Sequence, residues 1–354
     1  MRIALLAPAP GIPVLGPSGA SAHLRGVAQA MVDLGHSLRI VASLEQDRRG
    51  VHGQVPVPIE TVGNQGWPSW LPRYRERRET WIGKRVARQV QRGPRPELVY
   101  ERWSLFSLAG RDCQRRLRVP WVLEINAPIA QERARFEELR DPAYAARCQA
   151  VALRHADRFV VVSPWLANWL EDQGVEEARI RLVPNGTPPL TGDRPNTRKL
   201  LGADEDTLVL GFVGSMKPWH GAERLPELVA AVPGARGLVV GDGPVAPPPG
   251  VHCTGRLDEQ GVADHIAAMD VGLLPYPADA PPWFCPLKLW AYRAQGTPVV
   301  ATDVGDLRAW IGEGGAVVGQ HDLADGVESW RGRRAARMLR PWTQVVREAL
   351  QGLA

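Results

Sequence analysis

The segment GFVGSMKPWHG, residues 211–221, combines a short apolar run with a glycine, a hydroxyl, a cation and an imidazole. The apolar run predicts a buried strand that ends at Gly214, followed by a polar turn with Ser215, Lys217 and His220. A hydroxyl and a cation at the carboxyl end of a strand suit a diphosphate, because both bind phosphate oxygens. Lys217 or His220 alone would be an ordinary surface residue. The GxxxxGK[ST] spacing of a Walker loop is absent.

A second glycine-rich segment, GPSGASAH at 16–23, lies between a predicted strand and a predicted helix. Gly16 and Gly19 would let backbone N–H groups approach a ligand, and a helix N-terminus favours an anion. A plain tight turn explains the glycine pair equally well. The segment is not a GxGxxG fingerprint, which argues against a dinucleotide enzyme. His23 could contact an acceptor, act as a base, or make only a local hydrogen bond.

The stretch FCPLKLWAYRAQGTPVVATDVG, residues 284–305, predicts a loop, a short helix and a buried strand that ends in a glycine turn. A proline suits the first turn of a helix and a glycine suits its end. We expect the backbone N–H groups of Leu287 and Lys288 to face a ligand. Another predicted strand ends at Arg256, which could meet a base or a phosphate, although a single arginine is more often solvated.

The elements that must hold these turns follow from the apolar pattern. Apolar runs alternate with amphipathic segments along the chain, which predicts parallel strands joined by crossover helices. The fold class is therefore α/β, with two doubly wound, Rossmann-like halves. The predicted strands span residues 2–8, 37–43, 98–103, 120–126, 158–164, 180–187, 208–215, 237–243, 251–255, 271–276 and 298–305.

Two domains are expected, with a linker at 188–200 where proline, glycine and aspartate cluster. The N-terminal domain is predicted to span 1–190 and the C-terminal domain 201–328. Arg-rich amphipathic helices over 329–354 are expected to cross back onto the N-terminal domain. Two doubly wound sheets joined in this way would face each other across a cleft at the carboxyl ends of their strands.

Residues 45–95 are rich in arginine, glycine, proline and tryptophan, which predicts a long, irregular or partly helical insertion. Trp67 and Trp70 in this insertion could form a lid or a stacking platform for a sugar-like ligand. A tryptophan in a loop more often covers the edge of a domain.

The 43 lysines and arginines exceed the 38 aspartates and glutamates and give a net charge of +5. This excess fits an anionic ligand or a peripheral contact with an acidic membrane surface, although solvated arginines explain most of it. No basic run interleaved with aromatic residues indicates nucleic-acid binding. The four scattered cysteines predict reduced thiols and no zinc site, as in a cytoplasmic protein. The N-terminal apolar run is too short for a signal sequence, and no apolar run has membrane-spanning length.

The order of these motifs resembles the family 4 glycosyltransferases of the GT-B fold. The resemblance covers nearly the whole chain and is carried by GxSGASAH, VLEINAP, VVVSPWL, LVPNGT, GFVGSMKPWHG, VVGDGP, TGR and CPLKLWAYRAQGTPVVATDVG. It implies two Rossmann-like domains that face each other across a cleft. It also implies transfer of a sugar from a nucleotide sugar, usually a UDP- or GDP-sugar, with retention of configuration and without a metal or other cofactor.

The same resemblance assigns roles to the candidate residues. The acceptor would bind mainly to the N-terminal domain, with Gly16 and Gly19 near the phosphate and the acceptor. The donor would bind to the C-terminal domain, with Lys217 balancing the diphosphate charge. Ser215 and the amides of residues 287–288 would hydrogen-bond the diphosphate.

The chain departs from the family pattern where the donor is expected to bind. Ser215 and His220 stand where the family turn usually has arginine and lysine, and Lys217 is the nearest cation. Pro282 and Trp290 stand where the family commonly has two glutamates eight positions apart. An indole donates but cannot accept a hydrogen bond, so ribose hydroxyls would lose a partner. Trp290 would instead pack beside the ribose or the base.

Another departure is Asn126, which follows the strand VLEI where many relatives have a histidine close to the reacting sugar. Asn126 can hydrogen-bond a sugar hydroxyl but cannot take up a proton, and a simple turn residue is an equally good interpretation. The retaining mechanism tolerates this change, because the leaving phosphate can accept the proton. Asp279 or Asp306 could replace the missing glutamates. Glu101 and Arg102 could line the cleft or pair with neighbours at the surface.

The sequence therefore predicts a retaining glycosyltransferase that favours a UDP-sugar and acts on a polysaccharide, a lipid or a small metabolite. It would act in the cytoplasm or at the inner face of a membrane. The alternative is a non-catalytic GT-B scaffold that binds a partner glycosyltransferase, for which a tryptophan-rich surface would provide the interface. The missing glutamates and turn cations favour that alternative.

Overall fold

The chain divides into two compact units in a computed structural model. Unit 1 consists of Met1–Pro184 and Trp342–Ala354, and unit 2 of Asn185–Pro341. The model describes residues 1–46, 53–63, 75–217, 219–243 and 248–353. Trp67 and Trp70, the two tryptophans of the predicted insertion, lie outside the described residues. The predicted domain boundaries at 190, 201 and 328 stay predictions.

Unit 1 is built on a parallel sheet of seven strands in the order β3-β2-β1-β4-β5-β6-β7. The central strands are almost wholly buried, as expected for a sheet covered on both faces, and β4 and β5 carry buried charged residues near their carboxyl ends. The strands are β1 Arg2–Ala7, β2 Ser37–Ala42, β3 Ile59–Thr61, β4 Leu98–Arg102, β5 Trp121–Ile125, β6 Arg158–Val161 and β7 Ile180–Leu182. Its first six helices are α1 Gly19–Asp33, α2 Arg75–Arg92, α3 Ala109–Leu117, α4 Ile129–Phe136, α5 Pro142–His155 and α6 Pro164–Asp172.

Unit 2 contains a second parallel sheet, of six strands in the order β10-β9-β8-β11-β12-β13. The prediction of two doubly wound α/β halves is therefore confirmed. The strands are β8 Leu208–Val213, β9 Ala235–Val240, β10 His252–Cys253, β11 Val271–Leu274, β12 Val299–Thr302 and β13 Gly315–Val318. The helices are α7 Arg194–Leu200, α8 Leu225–Ala231, α9 Glu259–Ala268, α10 Leu287–Ala294, α11 Leu307–Ile311 and α12 Leu323–Glu328.

The predicted linker at 188–200 is partly wrong, because its second half is helix α7. Asp193 caps this helix by accepting a hydrogen bond from the backbone N–H of Asn196 at 3.1 Å. Arg198 is buried and donates to Asp270 Oδ2 at 2.9 Å, which fixes α7 against the rest of unit 2. Arg194 and Arg198 of α7 both form ion pairs with Asp270. These pairs stabilise a helix that the composition of the segment did not indicate.

Helix α1 begins earlier than the apolar pattern indicated. The Ser18 hydroxyl accepts a hydrogen bond from the Ser21 backbone N–H at 3.1 Å, so the helix starts at Gly19 rather than at His23. Serine at this position satisfies an amide that the helix itself leaves open. The predicted glycine-serine loop is thus shorter, and Gly19 lies in the first helical turn.

The C-terminal helix α13, Trp342–Leu350, packs on α1 within unit 1. A Cβ atom added to Gly26 would lie 2.4 Å from the Trp342 ring, so only glycine fits beneath this indole. The same ring meets the His23 imidazole edge-on, with 4.9 Å between centroids. None of the described helices combines the length and apolar character needed to cross a membrane.

We predict that Gly26→Ala destabilises the protein, although alanine is the better helix former by about 1 kcal/mol. The new methyl group would press on the Trp342 ring, and overpacking of this kind costs about 1–3 kcal/mol. Urea unfolding measures the difference. In a Trp342→Ala background the same change should become stabilising; a stabilising effect in both backgrounds would contradict the packing described.

Candidate functional site

The polar turn of unit 2 starts where β8 ends. Gly214 has a φ of +126° and donates its backbone N–H to the Val240 carbonyl at 2.9 Å. Gly241, which follows β9, has a φ of +131°, and a Cβ atom there would lie 2.4 Å from the Gly214 carbonyl oxygen. Two glycines therefore let adjacent strand ends approach more closely than side chains would permit. Ser215 and Lys217 are both exposed on this turn.

Gly221 closes the turn, with a φ of +72° and no space for a Cβ atom against the Pro275 carbonyl. His220 lies just before it and directs Nδ1 to the Ser215 carbonyl oxygen. A carbonyl only accepts, so Nδ1 carries the hydrogen. Burial, followed by the charge of Lys288, holds the pKa of His220 well below its usual range. The neutral ring then presents Nε2 as an acceptor, so His220 does not replace the lost cation by charge.

Lys288 reaches this turn from the start of α10. Its Nζ lies 3.9 Å from the centroid of the Phe212 ring and 5.6 Å from that of Tyr276. A Cβ atom on Gly214 would lie 3.4 Å from both Cε and Nζ of Lys288. The ammonium is buried and has no hydrogen-bond partner in the part of the chain that the structure describes. The sequence indicated only the backbone amide of Lys288; burial of its side chain in an aromatic pocket was missed.

The other predicted donor residues lie at the same end of the unit 2 sheet or in its core. Arg256 follows β10 and donates its Nε to Asp242 at 2.7 Å, so its charge is already paired. Leu287, half-buried, is the first residue of α10, after Pro286, whose side chain cannot cap the helix. The amides of the first turn are the groups that a helix leaves open for a cap or a ligand.

Trp290 is 6% exposed, and its indole N–H donates to Cys285 Sγ at 3.2 Å. The loop before α10 is held further by Asn185, whose side-chain Nδ2 donates to the Cys285 carbonyl at 2.6 Å. Trp290 thus helps to hold the loop before α10 in place, and this packing role accounts for an aromatic residue at this position of the helix. Its predicted contact with a ribose or base stays a prediction. The role of Asn185 was not foreseen; the signal was the asparagine-glycine pair of LVPNGT.

The carbonyl of Pro282, the other position without the expected glutamate, lies against Gly305. A Cβ atom on Gly305 would lie 2.3 Å from this oxygen, and its φ of +55° also favours glycine. Asp279 is exposed and Asp306 is half-buried just before α11. A role for either aspartate in place of the glutamates stays a prediction.

In unit 1 a buried carboxylate collects polar groups at the carboxyl ends of β4 and β5. Glu124 is 2% exposed, and its Oε1 lies 2.8 Å from Arg102 Nη1 and 2.9 Å from His23 Nε2. Its Oε2 accepts from the Tyr100 hydroxyl at 2.7 Å. Burial alone would raise the pKa of Glu124, but the contacts with His23 and Arg102 hold it well below its usual range. Glu124 is therefore a carboxylate at neutral pH.

Glu124 also orients Asn126, the residue that follows β5. The Asn126 amide Nδ2 donates to Glu124 Oε1 at 2.6 Å. Since a carboxylate only accepts, the amide nitrogen must face Glu124, and the Asn126 oxygen points away as a hydrogen-bond acceptor. His23 is 4% exposed, with one ring nitrogen held by Glu124. Its predicted role as a base or acceptor contact stays a prediction.

The expectation that Glu101 and Arg102 line the cleft or pair with neighbours at the surface is wrong for Glu101. Glu101 is completely buried and accepts hydrogen bonds from the Ser107 hydroxyl at 2.9 Å and the Gly110 backbone N–H at 2.8 Å. It therefore holds the start of α3. Arg102 instead forms an ion pair with Glu124. Burial raises the pKa of Glu101 to about 7.

The glycine segment before α1 is organised by packing. Gly16 is buried, and a Cβ atom there would lie 2.5 Å from Pro13 Cγ. Its carbonyl accepts from Arg25 Nη1 at 2.8 Å. Gly19 is exposed in the first turn of α1. The structure accounts for Gly16 by close packing, and the approach of both glycines to a ligand stays a prediction.

Comparison with known proteins identifies the family. The family model described as Glycosyltransferase Family 4 matches residues 17–189, and the model described as Glycosyl transferases group 1 matches residues 207–330. The chain belongs to the family 4 glycosyltransferases.

Two of its relatives are named D-inositol 3-phosphate glycosyltransferase. The one from Mycobacterium sp. (strain KMS) is 29% identical over 252 residues, which cover 65% of this chain and 57% of the relative. The one from Acidothermus cellulolyticus is 27% identical over 265 residues, with 64% and 57% covered. The chain thus spans little more than half the length of these relatives.

Solved structures share the fold over the whole chain. Sucrose-phosphate synthase from Thermosynechococcus elongatus has a TM-score of 0.71 and 20% identity, and covers 100% of this chain and 94% of its own. The Anabaena protein Alr3699/HepE in complex with UDP-glucose has a TM-score of 0.71 and 16% identity, with 99% and 95% covered. Together they establish the GT-B fold.

We predict that Glu124→Gln destabilises unit 1 strongly, because it leaves the buried Arg102 guanidinium without its carboxylate. Removing one partner of a buried ion pair costs about 3–5 kcal/mol. Tyr100→Phe removes one hydrogen bond to the same carboxylate and should cost about 1 kcal/mol. Urea unfolding at neutral pH compares the two variants; equal losses would contradict the central role of the carboxylate.

The Lys288 ammonium predicts a pH dependence of stability. Burial, and secondly the charge of Lys217, lowers its pKa to about 7, whereas an unfolded lysine titrates at its ordinary value of 10.5. The unfolded chain therefore binds more protons between these values, and the Lys288 contribution to unfolding free energy rises as pH increases from 7 to 10.5.

Lys288→Met should accordingly be more stable than the wild type at pH 7 and below, with the difference shrinking toward pH 10.5. Thermal unfolding of the ligand-free chain across this range measures it. The matched control is the exposed Lys84→Met on α2, which should show no such trend. A difference that is constant with pH would contradict an isolated, buried Lys288.

Proposed function

We propose that the chain transfers a sugar from a nucleoside-diphosphate sugar to an acceptor, with retention of configuration. The observation that carries this proposal is the end of the unit 2 sheet. There the turn after Gly214, which carries Lys217, meets the glycine end of β9, and the side chain of Lys288 reaches the same turn from the start of α10. Backbone N–H groups, a hydroxyl and cations together suit a diphosphate.

UDP is the favoured nucleotide, because a neighbour that shares the fold over the whole chain is described in complex with UDP-glucose. The acceptor is a hydroxyl compound, and the relatives named for inositol 3-phosphate make a phosphorylated polyol a reasonable first class to test. Polysaccharides and lipids form the rest of the acceptor panel.

In the transfer step, the bond between the anomeric carbon and the diphosphate oxygen breaks while the acceptor oxygen bonds to the same face of the sugar. The departing diphosphate takes the acceptor's proton, so no protein base is needed. Lysine charge and backbone N–H groups stabilise the negative charge that grows on the diphosphate. Asn126, whose amide is turned by Glu124, offers its oxygen to a sugar hydroxyl.

The test is calorimetric titration of the purified chain with UDP-, GDP-, ADP- and dTDP-sugars, followed by NMR of the product formed with the acceptor panel. We expect one nucleotide sugar to bind with a dissociation constant of about micromolar magnitude. The product should keep the anomeric configuration of the donor. Inversion would contradict the mechanism, and a folded chain that binds no nucleotide would favour the non-catalytic scaffold.

Lys217→Ala should weaken donor binding about tenfold, the size of one lost charge-assisted hydrogen bond. Lys84→Ala, an exposed lysine on α2, is the matched control and should bind as the wild type does. Equal binding by the two variants would remove Lys217 from the donor site.

A further inference from the structure

The turn of unit 2 lacks the arginine and lysine that the family resemblance led us to expect, yet the structure places another cation beside it. Ser215 is neutral, and His220 is uncharged because burial, followed by the charge of Lys288, holds the pKa of its ring well below the usual range. Lys217 is exposed, with its Nζ 4.9 Å from the centroid of the Trp219 ring. Lys288, which reaches the turn from α10, is a further cation in contact with it.

The surroundings of Lys288 favour the binding of an anion beside its ammonium. An ammonium buried without a hydrogen-bonding partner is costly, because it has lost water and gained no compensating charge. The Phe212 and Tyr276 rings offset part of this cost by cation–π attraction. Among the described residues, the titratable groups that face Nζ are Lys217 and His220 of the turn and Tyr276 after β11, and none of these supplies a negative charge at neutral pH.

The position of Lys288 also matches that of the expected phosphate groups. Its Nζ lies next to Gly214, at the carboxyl end of β8, while its own backbone N–H belongs to the open first turn of α10. The ammonium of Lys288 thus lies beside the turn, and its backbone N–H is one of the amides that the start of a helix leaves without an intrahelical partner. Because glycine at 214 has no side chain, the ammonium is not screened from the turn.

We infer that Lys288 is the principal cation that binds the diphosphate of the sugar donor, in place of the arginine and lysine missing from the turn. This inference rests on the proposed function. Its consequence is proton uptake: the ligand-free lysine is partly deprotonated above pH 7 and must gain a proton to pair with the diphosphate. Donor binding is therefore linked to pH through one residue.

The experiment titrates the full chain with the nucleotide sugar selected by the panel above, at pH 8, in Tris and in HEPES. The binding enthalpy differs between buffers in proportion to the protons exchanged. We expect the wild type to take up about one proton per donor bound, and almost none at pH 6. A nucleotide sugar is used because its diphosphate has no proton that titrates in this range.

Three variants separate Lys288 from its neighbours. Lys288→Met should lose at least about tenfold in affinity and take up no proton at pH 8. Lys288→Arg keeps a permanent charge, so it should bind the donor without proton uptake. Lys84→Met should behave as the wild type does.

Each outcome decides between the claims. If Lys288→Met binds the donor as tightly as the wild type with unchanged proton uptake, the inference is overturned while the proposed function stands. If the wild type binds the donor without proton uptake, the inference is likewise overturned. If the folded wild type binds none of the nucleotide sugars, the proposed function and the inference fail together.

Discussion

The arrangement of unit 2 depends on the close approach of two strand ends. The Gly214 carbonyl lies where a side chain on Gly241 would be, so the turns after β8 and β9 are pressed together. This approach brings backbone groups to the carboxyl edge of the sheet, where ligands of doubly wound folds bind. It also leaves the Lys288 ammonium against the turn without an intervening side chain. The positions of the turn, the lysine and the α10 amides all follow from that contact.

The two units handle buried charge in opposite ways. In unit 1 the Glu124 carboxylate is surrounded by Arg102, His23, Asn126 and Tyr100, so a buried charge has every partner it needs. Such a network fixes side-chain orientation, including that of the Asn126 amide, whose contact with a ligand stays a prediction. In unit 2 Lys288 has aromatic rings but no counter-charge among the described residues. The buried carboxylate of unit 1 is therefore fully paired within the unit, whereas the buried Lys288 ammonium of unit 2 is a charge that an anionic ligand could pair with.

Much of the fold could be predicted from the sequence, because apolar runs that alternate with amphipathic segments leave little choice but parallel sheets. The β8 and β12 strands and helix α10 lie where the pattern placed them. The edge strands β3 and β13 were missed: β3 lies in the segment that was interpreted as an irregular insertion, and β13 begins at Gly315, directly after Gly312 and Gly314, where the glycines predict a turn. Helix α7 was taken for a linker, because its stability comes from arginines paired with a distant Asp270.

The candidate site was predictable only as a set of turns. Glycines at strand ends are visible in a sequence, whereas the direction and burial of a lysine side chain depend on residues far along the chain. The sequence indicated Lys288 only for its backbone amide. The structure showed that its ammonium is buried against the Phe212 and Tyr276 rings. The sequence did not reveal the contact between Glu124 and Arg102. These residues are 22 positions apart and meet only because strands β4 and β5 pair in the sheet. Trp290 signalled a departure from the family, and its contact with Cys285 shows a packing role.

A crystal structure of the chain with its nucleotide sugar would show directly which groups bind the diphosphate. We predict a diphosphate oxygen about 2.8 Å from Lys288 Nζ, the distance of a charge-assisted hydrogen bond, with the α10 amides as further donors. A diphosphate bound elsewhere, with Lys288 Nζ still enclosed between Phe212 and Tyr276, would contradict it.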